Sequence, residues 1–114
     1  MSSDSNRTNR IKLLEQWTKE NPDDPFAFYA LALELKAIGE IVQAQDRLNE
    51  ICAEFPDYLP AFQMLGHIFL EQEKIEAAKK FFQQAKDLAY KQSNHKAIRE
   101  ISDFLMQIQL HYYE

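Results

Sequence analysis

Apolar residues recur along the chain at helical spacing, separated by short polar breaks. In "PFAFYALALELKAIGE" the residues Ala27, Phe28, Leu31, Ala32 and Leu35 lie three or four apart, and so do Ala61, Phe62, Leu65, Gly66 and Phe69 in "LPAFQMLGHIFLEQEK". Such spacing sets them on one face of an α-helix. The intervening segments "EIVQAQDRLNEICAEF" and "KIEAAKKFFQQAKDLA" carry Ala44, Leu48 and Ile51, then Ala78, Phe82 and Ala85, in the same rhythm. Two further segments flank these four: "RTNRIKLLEQWTKENPDD", with Leu14 and Trp17, and "AIREISDFLMQIQLHYYE". Six helices are predicted. Asp24 before Pro25 reads as an N-cap with proline in the first turn, Pro60 also falls in a first turn, and Gly39 reads as a C-terminal cap.

The segments repeat. Pro22 and Pro56 are 34 residues apart, both followed by aspartate, and the helices after them align position by position. Ala27 answers Ala61, Phe28 answers Phe62, Leu31 answers Leu65, Ala32 answers Gly66 and Leu35 answers Phe69. In the following helices Ala44 answers Ala78, Leu48 answers Phe82 and Ile51 answers Ala85. Glycine in a helix interior costs about 1 kcal/mol relative to alanine, so Gly66 needs a reason. A crossing of the two helices of a unit, where a small residue lets the backbones approach, supplies one. Leu14, Trp17 and Pro22 match Leu48, Ile51 and Pro56, so the first helix reads as the second half of a unit. The last helix matches a first half at an offset of 36, with Ser102 at the Gly66 place, which predicts a last loop two residues longer.

A 34-residue helix–turn–helix period carrying these residues resembles the tetratricopeptide repeat. The resemblance covers roughly residues 8–113, with departures: Phe replaces the usual Trp, Glu73 stands where a turn glycine would be, and Tyr90 occupies a proline place. It implies an all-α, right-handed α-solenoid of antiparallel helix pairs, with two full units between N- and C-terminal capping helices. The expected organisation is a disordered tail over residues 1–7 and a single domain over 8–114. Within it come an N-terminal helix at 8–21, repeats at 24–57 and 58–91, and a C-terminal helix at 94–113.

Composition excludes several functions. The 114 residues are 46% apolar with 12% aromatics, enough for one small core, and they hold only two glycines and four prolines, too little turn chemistry for a many-stranded sheet. A net charge of −5 argues against nucleic acid as partner. No stretch resembles a secretory signal or a membrane-spanning helix, so a cytoplasmic protein is expected and the acceptor pattern at Asn6 is set aside. The single cysteine, Cys52, reads as packing. His67, His95 and His111 show no metal-ligand spacing, and no nucleophile elbow or phosphate-cradling loop occurs. Neither catalysis nor a metal or other cofactor is expected.

Function is then expected to be binding. In the family this chain resembles, ligands lie along a concave wall built from the first helix of each unit. Carried over, that wall consists of Tyr29, Leu33 and Lys36, then Gln63, His67 and Leu70, then Arg99, Asp103 and Met106. Some members clamp C-terminal carboxylates there with Lys, Asn and Arg. Here Tyr29, Leu33 and Met64 stand at three of those places, so that ligand is not implied. The expected function is a non-catalytic adaptor presenting a short groove to a peptide or helix of a partner protein. The last helix raises an alternative. Ile98, Ile101, Leu105, Ile108 and Tyr112 lie in one arc, expected to pack on the second unit. Met106, Leu110 and Tyr113 lie on nearly the opposite side, a candidate stripe for self-association into a homodimer.

Overall fold

The computed structural model describes residues 3–113, with side chains from residue 6 onward, and these residues form six α-helices. They are α1 Ser3–Glu20, α2 Pro25–Ala37, α3 Ile41–Glu54, α4 Leu59–Glu71, α5 Ile75–Lys91 and α6 His95–Tyr112. The chain divides into two compact units, Met1–Pro56 and Asp57–Glu114. The division separates α1–α3 from α4–α6.

In the first unit, α2 packs against both α1 and α3. Leu31, Leu35 and Ala44 form a buried cluster with Ile11 and Leu14 against it, and Phe28 meets Phe55 with ring centroids 6.3 Å apart. Asp24 caps α2 as expected: its Oδ1 accepts the Phe26 N–H at 3.0 Å, with Pro25 at the helix start. Two expectations are corrected here. Residues 3–7 were expected in a disordered tail but lie in α1, where Arg7 reaches Glu34 of α2 at 2.8 Å; residues 1 and 2 lie outside the described residues. Trp17 does not take the buried place that Ile51 holds in α3. It is 51% exposed, its Nε1 donates to Asp24 at 3.3 Å, and Thr18 is buried instead, its hydroxyl donating to the Glu15 carbonyl at 2.7 Å. The reason is rotational: α1 faces α2 with Ile11, Leu14 and Thr18, spaced i, i+3, i+7.

In the second unit, α5 packs against α4 and α6. The Gly66 question is answered by one ring. A Cβ built on Gly66 would stand 2.9 Å from Cδ1 and Cε1 of Phe82, a non-bonded approach so short that the ring would have to shift. Phe82 is fully buried and stacks on Phe104 at 5.5 Å, while Phe69 stacks on Phe81 at 5.5 Å. Phe104, absent from the expected arc of α6, is thus a central packing residue. Ile101 and Ile108 are buried as expected, with Ile98 and Leu105 against the core, but Tyr112 is exposed.

Helices α2, α4 and α5 all end in the same motif. Gly39, Glu73 and Ser93 take positive φ of 86°, 59° and 53°. The following residue donates to the carbonyl five positions back: Glu40 to Leu35, Lys74 to Phe69 and Asn94 to Ala89, each at 2.9 Å. These bonds satisfy carbonyls that a helix end leaves unpaired. The last loop is not longer as expected: α5 has 17 residues against 14 in α3, and the loop after it is one residue shorter than the one after α3. The extra length lies in the helix, which runs to Lys91 through Tyr90; a proline there would have stopped it. Asn94 then caps α6, its Oδ1 accepting the Ala97 N–H at 3.1 Å.

Candidate protein-interaction site

The proposed wall residues are placed by the same periodicity that places the core. Tyr29, Leu33 and Lys36 of α2 are spaced i, i+4, i+7, on the face opposite the buried Leu31 and Leu35, and all three are half-buried. They form a ridge of an aromatic ring, a branched aliphatic and a lysine. Asp24 and Pro25 fix the start of α2, and Glu34 ties its flank to Arg7 and to Arg10, at 2.8 and 3.1 Å.

In the second unit the corresponding residues differ in character. His67 is wedged between rings, edge-on to Phe82 at 5.0 Å and to Phe104 at 4.6 Å, so it belongs to the packing of α4 on α5 and α6. Leu70 packs against the core and, with Gln107, Ile108, His111 and Tyr112, lines an open cavity of about 190 Å³. Gln63 is half-buried, whereas Arg99, Asp103 and Met106 are exposed on α6. The cavity was not legible beforehand: His111 and Tyr112 carry no pattern that marks them as lining anything.

The apolar stripe divides. Met106 and Leu110 are 61% and 58% exposed. Tyr113, by contrast, turns back on α5, its hydroxyl bonded to Glu76 and its ring 4.3 Å beneath the Lys79 ammonium. The Glu76 carboxylate holds the Tyr113 phenol above its ordinary pKa, chiefly through that hydrogen bond. Tyr113 therefore fastens the end of α6, and any self-contact by the stripe rests mainly on Met106 and Leu110.

Reactive chemistry is sparse. Burial pushes the Cys52 thiol up to about 11, so it is a neutral, weakly nucleophilic packing group at physiological pH. Among the described residues no cluster of three or more His, Cys, Asp or Glu is placed to hold a metal, and no helix is long and apolar enough to cross a membrane.

The geometry has a counterpart among solved structures. The solution NMR structure of a tetratricopeptide repeat domain protein from Salinibacter ruber superposes with a TM-score of 0.76 at 24% identity, covering 82% of this chain and 94% of that one. This chain has a tetratricopeptide-like fold, an all-helical repeat. No family model and no curated protein matches the sequence.

Proposed function

We propose that this protein is a non-catalytic interaction module that holds a peptide or helix of a partner protein on the first-helix faces of its repeats. The supporting observation is the ridge of Tyr29, Leu33 and Lys36, a half-buried set with two large apolar members on the side of α2 away from its core. An aromatic and a branched side chain one turn apart can anchor an apolar partner residue, with Lys36 favouring an acidic flank. In the second unit Gln63, Arg99, Asp103 and Met106 offer a mixed polar contact, and the cavity beside Leu70 is of a size for one apolar side chain. We propose a protein partner in the cytoplasm, with neither nucleic acid nor membrane as ligand.

The test is selection of peptides from a displayed library on the whole protein, repeated with Tyr29→Ala and Leu33→Ala. Loss of the selected peptides with unchanged helical circular dichroism supports the reading. Equal binding by the double variant overturns it. The exposed Met106 and Leu110 support a second reading, self-association through α6.

A further inference from the structure

In the second unit a first helix meets its second helix through a small residue and an aromatic pair. Gly66 makes room for Phe82, and Phe69 stacks on Phe81. The register of α4 returns in α6 36 residues later, placing Ser102 where Gly66 stands and Leu105 where Phe69 stands. The register of α5 is met in α1 68 residues earlier, placing Leu14 at the Phe82 position, Leu13 at the Phe81 position and Trp17 at the Ala85 position. Each face is covered on one side by its own unit, Leu14 lying against the α2 cluster and Ile98 and Leu105 against the core of the second unit, and is partly open on the other among the described residues. Leu13 is 70% and Trp17 51% exposed, Met106 beside Ser102 is 61% exposed, and Ser102 is only half-buried where Gly66 is buried.

We infer that a second copy of this chain covers these faces, α6 of one copy docking on α1 of the next so that the two complete a helix pair between them. This rests on the self-association reading and names both halves of the contact. Laid antiparallel, as α5 lies on α4, α1 sets Leu14 over Ser102 and Leu13 against Leu105, the counterparts of two contacts already made inside the chain. Trp17 falls toward Ile98. The charges agree: Lys96 of α6 comes level with Glu20 of α1, and Asp103 comes within a turn of Arg10. Arg10 stands where Ala44 and Ala78 stand, and Glu34 draws its guanidinium aside, Nε lying 3.1 Å from Oε1. Because two different patches meet, each copy keeps one end free, and association continues past the dimer unless it closes into a ring.

The test is sedimentation velocity of the whole chain over a concentration series, with Leu13→Glu on α1 and Ser102→Arg on α6. The unmodified protein is expected to gain mass with concentration, and each variant to weaken association by about tenfold or more. Mixed, the two variants should form a one-to-one heterodimer, since one retains a sound α6 face and the other a sound α1 face. Met106→Glu, at an exposed site, replaces Ser102→Arg if that variant melts early. A monomer at the highest soluble concentration overturns both this inference and self-association. Association that survives Leu13→Glu but not Met106→Glu means that α6 pairs with itself: self-association stands and the head-to-tail contact falls. A mixture that forms no heterodimer also overturns it.

Discussion

Gly66 shows how a single contact can reverse an intrinsic preference. Alanine there would gain about 1 kcal/mol of helix propensity, yet its Cβ would press into a Phe82 ring that Phe104 holds from another side. Overpacking of this kind costs about 1–3 kcal/mol, so Gly66→Ala should lower stability in urea unfolding. Adding Phe82→Leu recreates the Ala32 and Leu48 combination of the first unit and should recover part of that loss. Strict additivity of the two changes would remove the contact as the cause. Glu73 presents the opposite case. It holds φ of 59° where Gly39 holds 86°, a conformation that costs a residue with a Cβ about 1–2 kcal/mol. After the extra chain entropy of glycine, Glu73→Gly should stabilise the protein by about 0.5–1 kcal/mol, read as a higher melting temperature. Cys52 is a pH probe. Its thiol pKa lies near 11 in the fold against 9.0 for a free thiol, so its contribution to stability is full below pH 9 and is lost as pH rises through 11. Alkylation of the folded protein at pH 8 should accordingly be much slower than after unfolding; equal rates would show the thiol to be freely solvated.

At the scale of elements, the length of α5 decides where α6 begins. Its final turn passes through Tyr90, which is 59% exposed. Tyr90→Pro should still cost about 3 kcal/mol, because it removes a helical N–H and sets the ring against the preceding turn. Circular dichroism melting would show it, and Tyr90→Ala serves as the control that should melt close to the parent. A proline tolerated like alanine would mean that the last turn of α5 is not helical in solution.

For the whole molecule, the two units give a common expectation. In each, the middle helix of the packing order, α2 or α5, packs extensively on two neighbours, whereas α1 and α6 pack extensively on one, α6 adding the contact of Phe104 with His67 of α4. Native-state hydrogen exchange should therefore find the slowest amides in α2 and α5 and faster ones in α1 and α6. Protection of α1 equal to that of α2 at concentrations where the chain self-associates, but not on dilution, would point to the docked α1 face. Equal protection at every concentration would contradict this order of coverage.

The sequence by itself determined the helices and the period that relates them, and it marked Gly66 as a helix crossing, because these follow from spacing within one or two turns and from identity across 34 residues. That the group accommodated there is the Phe82 ring and not a close backbone was decided by the packing. Leu31, Leu48, Leu65 and Phe82 are buried as the spacing requires; Glu73, a departure from the turn glycine in the sequence, nevertheless takes the positive φ of Gly39. Only the tertiary structure decided the rotation of α1, which exposes Trp17 and buries Thr18. It also decided the central place of Phe104, the enclosure of His67 between two rings and the return of Tyr113 to Glu76 and Lys79. Each of these depends on which neighbouring helix a side chain meets. Periodicity assigns a residue to a face, but the partner across that face is chosen by packing between segments that no local pattern connects.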